Sequence, residues 1–288
     1  MRCGENRVRR FTVSTEAQQI TKASRSNLAL AFIALPKQRR TDISTFYAFC
    51  RVVDDIADDP GKPRAERQTA LDLWKAALAT QQPAEPTLAA PVRELIARYS
   101  LSVGHFHEII AGMEMDLDGA RYGTWEGLRL YCHRVASVVG LVSISIFGAR
   151  DARAKDYALN LGLALQLTNI LRDVGGDFAN EARIYLPEEE LARFGVSRED
   201  LAAGRRTAGF LALMDFQAER ARTFFCEANS HLPASDRKAL IAAEIMRDVY
   251  SRLLEKMARD RWRVFDRRYS LNKLTKLWLI VRRVFFAR

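Results

Sequence analysis

Two pairs of aspartates stand at helical spacing inside stretches that are otherwise largely apolar. Gln166, Asn169, Asp173 and Asp177 follow one another at intervals of three, four and four residues, which on a helix forms one polar stripe. Leu163, Leu165, Leu167, Ile170 and Leu171, interspersed among them, are apolar. A helix buried on most sides cannot carry two carboxylates, an amide and the Arg172 guanidinium unless something satisfies them. Carboxylates one turn apart, facing a cavity, suit hard cations such as Mg²⁺ and leave coordination positions for phosphate oxygens. The stretch from Phe46 to Asp59 repeats the pattern, with Asp54 and Asp58 one turn apart and Arg51 on the same face. Two such helices far apart in the chain read as facing metal–carboxylate walls. That arrangement serves a diphosphate whose departure is assisted by metal ions acting as Lewis acids.

The elements that must hold these side chains follow from the punctuation of the chain. Asp59-Pro60-Gly61-Lys62-Pro63 ends the first aspartate helix, expected from Thr41 to Asp59. A Pro-rich stretch from Gln81 to Pro91 reads as a surface loop between helices. Asp116 either joins the cavity or is a surface acid; spacing alone does not decide. The uncharged run Val135 to Ala149 is shorter than the ~18 residues a membrane span needs and reads as a core helix, so no transmembrane anchor is expected. Its small residues Ala136, Ser137 and Gly140 permit close helix packing or leave room for a long apolar ligand. The second aspartate helix is expected from Asp156 to Asp177, with Gly175-Gly176 weakening its end. After it, Arg183 and Tyr185 lie in a loop near the carboxylates. Helices over Phe210 to Asn229 and Ser235 to Arg259 complete the body.

Scarce alternating β-branched runs and abundant Ala, Leu, Arg and Glu favour an all-α protein. Cys3, Cys50, Cys132 and Cys226 are widely separated, as expected of reduced thiols in a cytoplasmic protein. A net charge of +10 implies an anionic partner. Basic residues interleaved with aromatics occur only near the C-terminus, so a diphosphate substrate or an anionic lipid surface fits better than nucleic acid, and no nucleic-acid partner is expected. The segment Arg259 to Arg288 alternates Arg and Lys with Trp, Phe, Leu and Val. It reads as a last helix packed on the core or as a peripheral membrane contact. Residues 1–13 are expected to be a flexible basic arm and residues 14–288 one domain. Ser24 and Ser26 read as helix caps or as hydroxyls holding a phosphate at a helix start.

Taken together, the motifs resemble the squalene/phytoene synthase family of head-to-head prenyl synthases. The run Tyr47-Ala48-Phe49-Cys50-Arg51-x-x-Asp54-Asp55-x-x-Asp58 resembles its first aspartate signature. Tyr131-x-x-x-Val135-Ala136-x-x-Val139-Gly140 and Gly162-x-Ala164-x-Gln166-Leu-Thr-Asn169-Ile-x-Arg172-Asp173-x-x-x-Asp177 resemble its second block, and Arg183-Ile184-Tyr185-Leu186-Pro187 also matches. The resemblance runs from about Ser24 onward. It implies a single all-α isoprenoid-synthase domain, a helical bundle around a central active-site cavity.

Carried onto this sequence, the resemblance makes Asp54, Asp58, Asp173 and Asp177 ligands of Mg²⁺, with Mn²⁺ as the alternative ion. Asn169 would join the metal set and Asp116 would support the metal–diphosphate cluster. Arg51, Arg172 and Arg183 would hold diphosphate oxygens, and Ser24, Ser26, Gln166, Tyr131, Tyr250 and Arg267 would lie near the diphosphates. Ala182 departs from the family pattern and puts the register of Arg183 in question. Phe32, Phe46, Val135, Ala136, Leu163 and Leu167 are expected as apolar walls. Within the family, bacterial presqualene diphosphate synthases are most similar, which implies condensation of two farnesyl diphosphates. Phytoene formation from geranylgeranyl diphosphate, or a complete squalene synthase using NADPH, are the alternatives; NADPH use is left open.

Overall fold

The computed structural model describes residues 31–119, 121–179 and 182–286. The arm expected at residues 1–13, and Ser24 and Ser26, lie outside the described residues. Among the described residues the chain is helical, with no strand, in agreement with the all-α expectation.

Helix α1 (Lys37–Ala57) starts directly after Pro36, whose fixed φ suits a helix start. It buries Ile43, Phe46, Phe49, Val53 and Ala57 along one stripe. The Phe49 ring centroid lies 5.2 Å from Trp74 of α2 (Arg64–Ala79) and 5.3 Å from Phe106 of α4 (Val103–Leu117), while Phe46 meets Phe106 edge-on at 5.6 Å. Each such aromatic, fully removed from water, contributes about 1.5–3 kcal/mol. Helix α3 (Ala89–Tyr99) packs beside α1 and anchors it through Arg98 and the Tyr99 hydroxyl, which both donate to the buried Asp42.

At the centre runs α5 (Trp125–Phe147), a continuous helix with one wide turn over His133–Ser137. The apolar element is therefore longer than the uncharged run suggested: 23 residues, long and apolar enough by length and composition to cross a membrane. In this fold it packs against α4 and α6 (Ala154–Ala179). At the wide turn the Ser137 hydroxyl donates to Leu159 O at 2.7 Å, and a Cβ on Gly162 would sit 2.5 Å from Ser137 Cα. The structure shows close packing at these residues and a cavity beside them. Gly140 and Gly162 let the backbones touch, and the neighbouring Val135, Ala136 and Val139 line a cavity.

Helix α6 extends through Gly175 and Gly176 to Ala179, two residues past the expected end at Asp177. A Cβ on Gly175 would lie 2.6 Å from Val264 O and 3.0 Å from Phe265 Cα. This glycine is a contact point where the C-terminal chain crosses α6. Short helices α7 (Glu188–Arg193) and α8 (Arg198–Ala202) lead to α9 (Ala208–His231), which pairs along α6. Helix α10 (Ile241–Arg259) follows, and α11 (Lys273–Phe286) lies across it. The apolar residues form one continuous core from Ala31 to Leu279. Cys50, Cys132 and Cys226 are free thiols.

Candidate active site

Asp54 sits on the last turn of α1 and Asp58 is the residue that caps its C-terminus. Arg51 folds back along its own helix, with Nη1 2.8 Å from Asp54 Oδ2 and Nη2 2.6 Å from Asp55 Oδ1. Burial, and next the adjacent Asp58 carboxylate, push Asp54 up to about 7. Asp58 receives Arg183 Nη1 at 2.7 Å. Ala182, in the left-handed region at φ 52°, makes the turn that precedes Arg183. The departure at Ala182 thus leaves the guanidinium directed at the first aspartate pair.

The second pair sits on α6. Burial alone would raise Asp173, but hydrogen bonds from Arg172 and the charges of Arg172 and Arg268 overcome it and hold it below the ordinary carboxylate value. Arg268 Nε lies 3.1 Å from Asp173 Oδ1, and Tyr250 lies beside Arg172. Asp177, one turn on, is pushed up to about 7 by burial and then by the charge of Asp173, against Arg183 and Arg172.

Asp116 of α4 stands between the two pairs. Its Oδ2 accepts from the Tyr131 hydroxyl and its Oδ1 from the Tyr185 hydroxyl, both at 2.9 Å. The two rings stack with centroids 5.2 Å apart, and Tyr122 packs on both. Burial raises Asp116 to about 6 against these two bonds. Burial, and then the Asp116 charge, push both phenols far above their ordinary value, so they stay protonated donors. Asp116 acts electrostatically on Asp54 and on Asp177, and Asp58 acts on Asp116. Carboxylates from three helices therefore share one field. A cavity of about 520 Å³ opens beside Asp116, with Arg67, Arg121, Arg183 and Arg198 on its walls.

Two observations fit a hard divalent cation here. Asn169 Oδ1 is buried with no hydrogen-bond partner, and a buried amide oxygen in that state is costly. Asp54 and Asp177 are pushed up by burial and next by the neighbouring carboxylates, and a bound cation would favour their ionised forms. Among the described residues, no three acidic, imidazole or thiol side chains already form one coordination cluster. The candidate donors are instead spread over both pairs.

Gln166, Asn169 and Tyr250 form the polar rim of an apolar cavity of about 180 Å³. Phe32, Val135 and Ala136 line it as expected, together with Val139, Leu161, Leu165 and Met246. Phe46, Leu163 and Leu167 do not; they are packed into the core on the other sides of their helices. Phe147 and Tyr157 also line it, and the Tyr157 hydroxyl donates to Glu244 Oε1 at 2.8 Å.

Arg267 is not placed at the second pair. It binds Asp260 and lies over the Tyr269 ring, and its neighbour Arg268 takes the position on Asp173. The arginine that reaches Asp173 lies on the segment that crosses α6 at Gly175. Arg67, Arg121 and Arg198 carried no local signal, because each lies on a different element and joins the site only through packing.

The squalene/phytoene synthase family model matches residues 21–275. The chain is 36% identical over 280 residues to presqualene diphosphate synthase of Zymomonas mobilis, covering 93% of each chain. It is equally identical over 260 residues to phytoene synthase 1 of Arabidopsis thaliana, spanning 86% of this chain but only 60% of that protein. A ligand-bound dehydrosqualene synthase structure superposes with a TM-score of 0.80 at 28% identity, covering 94% of both chains.

Proposed function

Given that the chain belongs to the squalene/phytoene synthase family of head-to-head prenyl synthases, we propose that it condenses two farnesyl diphosphates into presqualene diphosphate. The observation that carries this reading is that Arg183 and Asp116 link the two aspartate pairs electrostatically, while Asn169, one helical turn before Asp173, lines an apolar cavity. Asp54, Asp58, Asn169, Asp173 and Asp177 would hold Mg²⁺, which when bound supplies Lewis-acid polarisation of the leaving diphosphate. Arg51, Arg172, Arg183 and Arg268 offer planar donor forks to diphosphate oxygens. Negative charge that develops as the allylic C–O bond breaks falls among these fixed cations, which is where such charge is stabilised most.

The allylic cation left behind is attacked by the C2–C3 double bond of the second substrate, and loss of a proton closes a cyclopropane ring. Tyr131 and Tyr185 are poor acceptors for that proton, because both already donate to Asp116 and are held protonated. The released diphosphate is the better base. Val135, Ala136, Val139 and Leu165 keep water from the cation.

The match over nearly the full length of both chains to a presqualene diphosphate synthase supports the shorter substrate. The equal identity to a phytoene synthase favours the second reading, geranylgeranyl diphosphate as substrate.

The deciding experiment incubates purified protein with Mg²⁺ and farnesyl diphosphate, with and without NADPH, and identifies the products. Presqualene diphosphate in both supports the reading. Squalene only with NADPH makes this a complete squalene synthase. No product from farnesyl diphosphate but phytoene from geranylgeranyl diphosphate overturns it for the second reading.

A further inference from the structure

Helix α11 is turned inside out relative to an ordinary surface helix. Leu274, Leu277, Trp278, Val281, Val284 and Phe285 are all exposed, Leu274 at 78% and Phe285 at 73%. At helical spacing they fall on one face about 120° wide. The side facing the protein carries Leu279, fully buried, and a cation: Arg283 Nε lies 2.6 Å from Asp248 Oδ2 and its Nη1 3.2 Å from Glu244 Oε2. The helix is thus fixed to α10 by ion pairs while its apolar stripe points away. Isolated exposed apolar residues need no explanation; six on one face do.

Cations flank the stripe on both sides. Val284, at one edge, also lines a cleft of about 1030 Å³ bordered by Arg150, Arg237 and Lys238. The cleft's acids are already engaged: Asp236 accepts from the Arg150 and Asp151 amides at 2.8 Å, and Glu244 is held by Tyr157 and Arg283. At the other edge Arg252 and Arg282 lie over the Trp278 ring, 4.8 and 5.4 Å from its centroid. Beyond them a depression is lined by Arg252, Lys256 and Arg259. An apolar stripe with an interfacial tryptophan, bracketed by cations, is complementary to an anionic lipid surface and to its acyl boundary.

We propose that this chain docks on anionic membranes through the outward face of α11, with the two basic margins on lipid phosphates. About 21 Å of helix would lie in the plane of the surface. The apolar cavity and the basic cleft meet at one contact, since Tyr157 lines the cavity and its partner Glu244 lines the cleft. Docking goes beyond the proposed reaction and does not depend on it.

The test is flotation of the full chain, without substrate or Mg²⁺, on vesicles of phosphatidylcholine alone and of phosphatidylcholine with phosphatidylglycerol. Partition is expected on the anionic vesicles and to weaken with added salt. Leu277→Ser with Phe285→Ser should lower it roughly tenfold or more. Arg237→Gln with Lys238→Gln should lower it about fivefold per charge on the anionic vesicles only. Thermal melting identifies variants that have kept the fold, and Arg252→Gln with Lys256→Gln serves as a second charge variant should the first not fold. No partition of the wild type, or equal partition of folded stripe variants, overturns the proposal. So does a dimer seen by light scattering that the stripe variants abolish while vesicles remain unbound, which would make the face an interface between copies.

Discussion

Arg183 Nη1 lies 2.7 Å from Asp58 Oδ1, across 125 residues of sequence, and its charge also lowers Asp177 and Asp116. One guanidinium after α6 therefore acts on carboxylates of α1, α4 and α6 together. On the proposed reading it would receive diphosphate charge between the two aspartate pairs.

Arg183→Gln removes that charge from a partly exposed site, so the fold should persist while kcat/KM for the prenyl diphosphate falls by roughly 10²–10³. Arg183→Lys should recover only a small part, because a point charge does not replace the planar fork. Steady-state kinetics alongside thermal melting check this. Activity within twofold of wild type for Arg183→Gln would remove Arg183 from the site.

Asp54 and Asp177 are both held near 7, above the value of about 4 for a carboxylate in the unfolded chain. Between these values the native state binds more protons than the unfolded state, so stability falls as pH rises from about 4 through about 7. Without divalent ions, melting temperature should drop from pH 5 to pH 8. Mg²⁺ should raise it more at pH 8 than at pH 5. A gain from Mg²⁺ that is equal at both pH values would count against these carboxylates as its ligands.

Asp54→Asn and Asp177→Asn remove one member of each crowded pair. Turnover should fall by roughly 10³ or more, while the metal-free protein should melt higher than wild type at pH 8 because a like-charge contact is gone. Lost activity combined with a lower melting temperature would mean these aspartates serve the fold instead.

Gly175→Ala places a Cβ 2.6 Å from Val264 O and 3.0 Å from Phe265 Cα. Both atoms are backbone, so the crossing segment must shift, at a cost of about 1–3 kcal/mol. Arg268 should then be drawn away from Asp173. Arg268→Gln should reproduce the loss of activity with little loss of stability; if only Gly175→Ala is impaired, Arg268 has no part in turnover.

The helical class and the two aspartate stripes were legible in the sequence, because i,i+4 spacing on a helix admits only one geometry for Asp54 with Asp58 and for Asp173 with Asp177. The demand for a satisfying partner followed from the apolar residues around them. Spacing says which residues share a face of their own helix, and nothing about the neighbour that face will meet. Phe46, Leu163 and Leu167 were apolar enough for a cavity wall, yet packing turned them to the core while Val139 and Leu165 reached the cavity. Asp116 read equally as a surface acid until α5 and the loop after α6 brought Tyr131 and Tyr185 onto it. Gly175 read as a weak point near the helix end because a missing side chain weakens an isolated helix; in the assembled bundle the same absence admits a crossing chain, which carries Arg268 onto Asp173. The sequence by itself determined the chemistry each helix could offer; tertiary packing decided which groups meet, since contacts between distant segments depend on the fit of whole surfaces.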